Sequence, residues 1–327
     1  IRAKERLAPF FSGTECRPAA ADQEVGMGKT AFIFPGQGSQ YVGMGKDFYD
    51  SFSVCREVFE TAEKSTGLNL RELCFEENDR LNITEYTQIA MLTVEVALMK
   101  AIEEKGVKPD VAAGLSLGEY AALAAAGVMK EEDLFFCVRQ RGIYMQEAVP
   151  VGGAMTAVLG LPNETVEKLC EETPGEVSVA NYNCPGQLVI TGEKEAVDRA
   201  AEKMKEAGAK RCVPLKVSGP FHSSLLKGAG ERLKETLEGI DIQGIQLPYL
   251  SNVTADYVED PSAVKDLLVR QVSSPVRWQQ CVERMIADGV DTFIEIGPGK
   301  SLSGFMRRID KTVTVKNVEH VEDLEKL

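Results

Sequence analysis

The sequence predicts an α/β fold, in which a large domain with a parallel-sheet core carries an inserted small domain. Strand-like apolar runs alternate with long helical patterns before residue 152 and again after residue 219. The run Val111–Gly114 leads into a sharp turn at Ser116, with glycines on both sides of the serine, as in the nucleophile elbow of α/β-hydrolase-like domains. Residues 153–218 follow the order β-α-β-β-α-β of a ferredoxin-like domain.

Bulk composition excludes several classes of protein. Hydrophobic residues make up 44% of the 327 residues and charged residues 27%, as in soluble globular proteins. The apolar runs are shorter than the roughly 18 residues that a membrane helix needs, so we expect no membrane association. A net charge of −13 argues against a nucleic-acid partner, because phosphate binding requires clustered cations.

The eight cysteines contain no C-x-x-C pair, which argues against a metal site and a disulfide framework. We therefore expect a cytoplasmic protein, since thiols stay reduced there. Residues 1–26 balance four basic against four acidic side chains without periodicity, so residues 1–28 are predicted to be a disordered leader or a remnant of cloning.

The first segment of the large domain is predicted to span residues 29–152. Its strand Thr30–Phe34 runs into the glycine-rich turn Pro35–Gln40, which could present backbone N–H groups to an anion or could be a tight connection without a ligand. Helical periodicity covers Tyr86–Lys105 and Glu131–Val149, on either side of the elbow at Ser116.

The small domain is predicted at residues 153–218, with a proline–glycine turn between its central strands. Its elements, in chain order, are a strand at Ala154–Gly160, a helix at Pro162–Glu172, strands at Glu176–Asn181 and Gln187–Thr191, a helix at Lys194–Ala207 and a strand at Lys210–Val217.

The large domain resumes at residues 219–327, which places a cleft where the two domains meet. Its predicted elements are a helix at Leu225–Leu237, a strand at Gln246–Leu250, helices at Ser262–Gln271 and Val276–Asp288, a strand at Thr292–Ile296, a helix after the turn Gly297–Gly299, and a strand at Thr312–Asn317.

Nucleophilic catalysis by Ser116 needs a base, and the sequence offers two histidines. His222 lies where the chain re-enters the large domain, next to the expected cleft, whereas His320 lies in a charged tail that we expect to fray. His222 is therefore the predicted base. The partner of its second ring nitrogen stays open between a carboxylate and a backbone carbonyl.

Two arginines, Arg139 and Arg141, lie on the predicted helix Glu131–Val149. Arg141 is followed by an apolar stretch, so we interpret it as a buried ligand for a carboxylate, which a guanidinium binds with two parallel hydrogen bonds.

Taken together, these segments resemble the malonyl-CoA:acyl-carrier-protein transacylases of fatty-acid synthesis. The similarity covers roughly Lys29 to Asn317, so chance agreement of all the motifs is improbable although each is weak. The motifs, in order, are Gly36–Gln40, Gly114–Tyr120, Arg141–Gly142 with Met145–Ala148, Asn181–Gln187, Pro220–His222 and Glu295–Gly299.

The resemblance implies a role for each candidate residue. Ser116 would take the malonyl group from coenzyme A as an ester, with His222 as general base and then general acid. The backbone N–H groups of Gln37 and Leu117 would form the oxyanion hole. Arg141 would bind the malonyl carboxylate, and the backbone carbonyl of Gln271 would orient His222.

Three further residues are implied to shape the acyl pocket. Asn181 would help to position the substrate, and Phe221 resembles the malonyl-selective pattern of polyketide acyltransferases because it leaves little room for a branched acyl group. Leu115 departs from the family, which usually has histidine there. Leu115 therefore makes one wall apolar, and we expect altered pocket polarity with catalysis retained.

The partners implied are malonyl-CoA and acyl carrier protein, with no cofactor and no metal ion, and the enzyme is expected to be a monomer. Acyl carrier protein is acidic in this family, so docking would need a basic patch, for which Lys203, Lys205, Lys210 and Arg211 are candidates. The alternatives are a serine acyl hydrolase, a trans-acting polyketide-synthase acyltransferase, and a non-catalytic module that binds carrier protein.

Overall fold

The computed structural model describes residues 28–148, 153–217 and 219–327. Residues 1–27 of the predicted leader lie outside this part of the chain, as do Val149 and Ser218, the last residues predicted for a helix and for the small domain. Within the described residues the fold is mixed α/β, with one parallel and one antiparallel four-stranded sheet.

The strands in the described ranges are, in chain order, β1 (Lys29–Phe34), β2 (Val111–Gly114), β3 (Gly153–Leu159), β4 (Val177–Cys184), β5 (Gln187–Glu193), β6 (Arg211–Pro214), β7 (Val290–Ile296) and β8 (Thr314–Val318). The α-helices there are α1 (Lys46–Ser51), α2 (Ser53–Thr66), α3 (Leu70–Phe75), α4 (Thr84–Glu104), α5 (Gly118–Ala125), α6 (Glu131–Glu147), α7 (Asn163–Glu171), α8 (Lys194–Glu206), α9 (Lys227–Glu238), α10 (Val264–Gln271), α11 (Trp278–Ala287) and α12 (Ser301–Ile309).

The parallel sheet has the strand order β2-β1-β7-β8. Successive side chains of a strand point to opposite faces, and in β1 both faces are buried. Phe32 and Phe34 enter the core that contains α4, whereas Ala31 and Ile33 enter a second core with Trp278. Burial on both faces explains why the strands read as continuous apolar runs.

The antiparallel sheet has the strand order β4-β5-β3-β6, and its elements occur in the predicted order. A third core lies between this sheet and the helices α7 and α8. The backbone of Val276, just before α11, is hydrogen-bonded to Ala180 and Tyr182 of β4. These bonds attach the segment before α11 to the antiparallel sheet at Asn181.

Two expectations from the sequence are wrong. The predicted strand Gln246–Leu250 makes only isolated bridges, because Pro248 has no N–H to donate and can only accept from Ala112 of β2. The tail does not fray, because residues 321–326 form a 3₁₀ helix whose Val321 N–H donates to the Asp47 carboxylate at 2.8 Å.

No element is predicted for residues 46–75, where the structure has α1, α2 and α3. Helices α1 and α3 have six residues each, which is too short for a readable period. Helix α2 does carry one, with Cys55, Val58, Phe59 and Ala62 on its buried side. None of the helices in the described ranges combines the length and the apolar character needed to cross a bilayer.

Candidate active site

Ser116 lies at the turn between β2 and α5, with a φ of 54°. The flanking glycines allow this turn to pack closely. A Cβ atom on Gly114 would lie 1.9 Å from the carbonyl carbon of Gly118, and one on Gly118 would lie 2.2 Å from the Phe34 oxygen. Glycine is therefore required at both positions, as expected for an elbow that exposes its serine.

Asn252 holds the two sides of this turn together, and the sequence did not single it out. Its Nδ2 donates to the Gly114 carbonyl at 2.7 Å, and its Oδ1 accepts the Ser116 N–H at 2.6 Å. These two hydrogen bonds offset the cost of the left-handed backbone at Ser116. The signal was weak, because Asn252 follows the apolar run at residues 246–250, which bridges β2 at Tyr249 but is not a strand of the sheet.

His222 lies beside the serine. Its Nε2 is 2.8 Å from Ser116 Oγ, and its Nδ1 is 2.9 Å from the backbone carbonyl oxygen of Gln271. The carbonyl can only accept, so Nδ1 carries the proton and Nε2 is free to accept the serine proton. Burial, together with the positive charge of Arg141, lowers the pKa of His222 to about 4, so the imidazole is neutral at pH 7.

Arg141 enters the same site from α6 and is 1% exposed. Its Nη2 donates to Ser116 Oγ at 3.3 Å and to Gln271 Oε1 at 3.0 Å, and its Nη1 donates to Gln88 Oε1 at 2.6 Å. In the described part of the chain, no carboxylate forms an ion pair with this guanidinium. Among the described residues, the hydrogen-bond acceptors of this buried positive charge are all neutral, and its Cζ lies 5.3 Å from the centroid of the Tyr120 ring.

The two expected oxyanion-hole donors flank the serine. A Cβ atom on Gly36 would lie 2.7 Å from the Leu115 carbonyl oxygen, so the glycine-rich turn before Gln37 packs directly against the elbow. Gln37 and Leu117 both line the cavity at Ser116. Among the described residues, neither of their backbone N–H groups has an acceptor, so both are available to an oxyanion.

The side chain of Gln271 has contacts that the sequence did not reveal. Its Nε2 donates to the Ser116 carbonyl at 3.0 Å and to Glu119 Oε2 at 2.6 Å. The same Glu119 oxygen accepts the Asn252 N–H at 3.0 Å. Burial raises the pKa of Glu119 to about 7, although these hydrogen bonds oppose the shift. A glutamate within the apolar helix α5 was the signal for a buried carboxylate.

The cavity above Ser116 has a volume of about 240 Å³. Leu115, Asn181 and Phe221 all line it, and Gln88 and Met145 add to its walls. His320 is not part of this site. Its Nδ1 lies 3.5 Å from Asp47 Oδ2, and it does not line the cavity at Ser116. In the described ranges, no group of three His, Cys, Asp or Glu residues is arranged to hold a metal ion.

Of the four basic candidates for docking, which lie on the antiparallel-sheet side of the molecule, Lys205, Lys210 and Arg211 are exposed and Lys203 is half-buried. Two of them are engaged locally: Lys203 Nζ donates to the Glu172 carbonyl, and Lys205 pairs with Glu202 at 2.7 Å.

Comparison with known proteins gives a consistent result. Residues 31–324 match the family model of the acyl transferase domain. The malonyl CoA-acyl carrier protein transacylase of Bacillus subtilis (strain 168) is 45% identical over 304 residues, which cover 90% of this chain and 96% of the relative. The enzyme of the same name from Staphylococcus aureus (strain N315) is 42% identical over 303 residues, or 91% of this chain and 98% of the relative.

Solved structures are similar over the same range. The malonyl CoA-acyl carrier protein transacylase from Clostridium perfringens has a TM-score of 0.89 and 46% identity, covering 91% of this chain and 95% of that chain. A malonyl-transacylase in complex with a type II PKS acyl-carrier protein has a TM-score of 0.88 and 42% identity, covering 91% of this chain and 98% of that chain.

Proposed function

The chain belongs to the acyl transferase domain family of malonyl-CoA:acyl-carrier-protein transacylases, and we propose that it works by a ping-pong mechanism through a malonyl ester of Ser116. The donor is malonyl-CoA, and the acceptor is the phosphopantetheine thiol of acyl carrier protein. The site residues act in two half-reactions that use the same groups.

In the first half-reaction, Ser116 Oγ attacks the thioester carbonyl while His222 Nε2 takes its proton. The backbone N–H groups of Gln37 and Leu117 stabilise the negative charge that develops on the carbonyl oxygen. The carbon–sulfur bond then breaks, and His222 returns the proton to the leaving sulfur of coenzyme A.

In the second half-reaction, the thiol of the carrier protein loses its proton to His222 and attacks the ester. Ser116 leaves and recovers the proton. The lowered pKa of His222 supports this role, because a neutral imidazole is ready to accept a proton at pH 7.

One observation carries the assignment of malonyl as the acyl group. Arg141 places a buried guanidinium 3.3 Å from the nucleophile, and among the described residues it pairs with no carboxylate. A buried charge is costly until it finds a partner. The free carboxylate of a malonyl group supplies that partner, whereas a simple acyl group does not.

Incubation with malonyl-CoA alone, followed by intact mass measurement, tests the proposal. We expect a stable malonyl adduct that is absent in Ser116→Ala and that is discharged by holo acyl carrier protein. Steady release of free malonate without transfer to carrier protein would identify a serine hydrolase instead. Absence of any adduct, with carrier protein bound normally, would identify a non-catalytic binding module.

The remaining assignments belong to the same proposal. Residues 29–152 with 219–327 form the hydrolase-like catalytic domain, and residues 153–218 form the ferredoxin-like domain, for which the strand order β4-β5-β3-β6 is support. A monomer is sufficient, because all the site residues come from one chain. A cytoplasmic location fits the free cysteines of the described residues.

A further inference from the structure

Glu119 does not touch the reacting atoms, but its carboxylate is hydrogen-bonded to Asn252 and Gln271, which contact the Ser116 backbone. It is 0% exposed, and its Oε2 accepts hydrogen bonds from the Asn252 N–H and from Gln271 Nε2. Through these two donors it contacts the residue that holds the elbow and the residue that holds Arg141.

The orientation of the Gln271 amide follows from the chemistry of its neighbours. On one side it meets two acceptors, the Ser116 carbonyl and the Glu119 carboxylate, and on the other it meets the guanidinium of Arg141. If the amide were turned over, its oxygen would face two acceptors and its NH₂ group would face a cation. The observed orientation is therefore the one in which every contact is favourable.

Gln271 Oε1, held in this way, accepts a hydrogen bond from Nη2 of Arg141, which also donates to Ser116 Oγ, while Gln88 Oε1 accepts from Nη1. We propose that Glu119 is a positioning residue for acyl selectivity: it orients the Gln271 amide so that Arg141 stands ready for the carboxylate of the acyl group. The inference rests on the proposed function, because it concerns how that carboxylate is recognised.

This role separates Glu119 from a residue that only stabilises the fold. Loss of its acceptor oxygen removes one of the two acceptors that orient the Gln271 amide, so Arg141 loses a firmly held anchor. Catalysis by Ser116 and His222 does not depend on that anchor, since the Gln271 main-chain carbonyl still holds the imidazole. Replacement of Glu119 should therefore lower kcat/KM for malonyl-CoA much more than kcat/KM for acetyl-CoA.

The test compares kcat/KM for acylation of Ser116 by malonyl-CoA and by acetyl-CoA in Glu119→Leu and Glu119→Gln. We expect the malonyl-to-acetyl ratio to fall by roughly ten- to a hundred-fold in Glu119→Leu, the range for weakening one hydrogen bond to a charged group, here the bond from Arg141 to Gln271. Glu119→Gln keeps an acceptor oxygen, so its ratio should stay within a few-fold of the parent protein.

Glu95→Leu is the matched control. Glu95 is also a fully buried glutamate, on α4, and its carboxylate has no hydrogen-bond partner in the described residues. Its replacement should leave the ratio unchanged. Equal losses on both CoA esters in Glu119→Leu, or an unchanged ratio, would overturn the inference.

If Glu119→Leu does not fold, Gln271→Met decides the question, because it removes the amide and keeps the main-chain carbonyl. The same fall in the ratio supports the positioning role, and a parental ratio refutes it. Failure of the proposed function would look different, since the parent protein itself would then either form no malonyl ester or release free malonate without transfer to carrier protein.

Discussion

Replacement of Arg141 by methionine tests whether the site is built for an acyl group with a negative charge. Methionine fills much of the arginine volume and removes the charge. A malonyl carboxylate would then enter a buried site without a cation, and an unpaired buried charge costs about 3–5 kcal/mol. The cavity opens to solvent at its mouth, so the lower end applies, and kcat/KM for malonyl-CoA should fall roughly 100-fold.

Acetyl-CoA has no carboxylate, so the same substitution should leave its kcat/KM unchanged or raise it a few-fold, because a desolvated cation no longer faces the acyl methyl group. The assay is the rate of acyl-enzyme formation, followed by intact mass after rapid quenching with each CoA ester. The malonyl-to-acetyl ratio is the quantity that matters, since a damaged fold lowers both rates together.

Arg139→Met provides the control on the same helix. Arg139 pairs with the Glu85 carboxylate at 3.0 Å and lies 4.9 Å from the ring centroid of Tyr86, outside the cavity at Ser116. Its loss should not change the ratio. If Arg141→Met reduced acylation by both CoA esters equally, the guanidinium would have no role in recognising a carboxylate.

Three further predictions follow from the buried polar groups. Acylation should keep its rate from pH 7 to near pH 5 and halve near pH 4, because burial lowers the pKa of His222 to about 4; a midpoint near 6.5 in the pH–rate profile would contradict this. Asn252→Ala should lower the free energy of unfolding in urea by about 2–4 kcal/mol, because it leaves two buried backbone groups of the elbow unpaired. A loss below about 1 kcal/mol would show that water replaces the two hydrogen bonds of the Asn252 side chain. Glu95→Leu should raise the free energy of unfolding at pH 8, because burial raises the pKa of Glu95. Between the ordinary glutamate pKa and that raised pKa, the parent protein loses about 1.4 kcal/mol of stability per pH unit. Parallel plots of the free energy of unfolding against pH, from pH 5 to 8, for the parent protein and the variant would refute this prediction.

Features set by local sequence were predictable. The elbow at Ser116 follows from an apolar strand, two glycines and a helical pattern within about ten residues, and the small domain's elements follow from equally local periods. The strand at residues 246–250 failed because its pattern is apolar but Pro248 interrupts the pairing. Helices α1 and α3 were not predicted, because such short helices are stabilised by tertiary packing and show no readable period.

Contacts across the chain were not predictable in this way. Asn252 and Glu119 are 133 residues apart, and their contact exists only because two segments meet at one edge of the parallel sheet. Composition and periodicity describe neither meeting points nor hydrogen-bond partners. A polar residue in an apolar helix, as at Glu119 or Gln88, indicates a buried polar contact but does not name the partner, and Glu95 in the same helix as Gln88 has no hydrogen-bond partner among the described residues.

Gln271 shows that a family resemblance can imply the role of a backbone group without explaining the side chain at that position. The resemblance implied only its main-chain carbonyl, and any residue except one that distorts the helix could supply that group to His222. The side chain is what requires glutamine, because it must donate to Ser116 O and Glu119 on one side and accept from Arg141 on the other. A shorter side chain at this position would keep the oriented imidazole and lose the anchored guanidinium. The identity of residue 271 is therefore fixed by the arginine, and the histidine depends only on the path of the backbone.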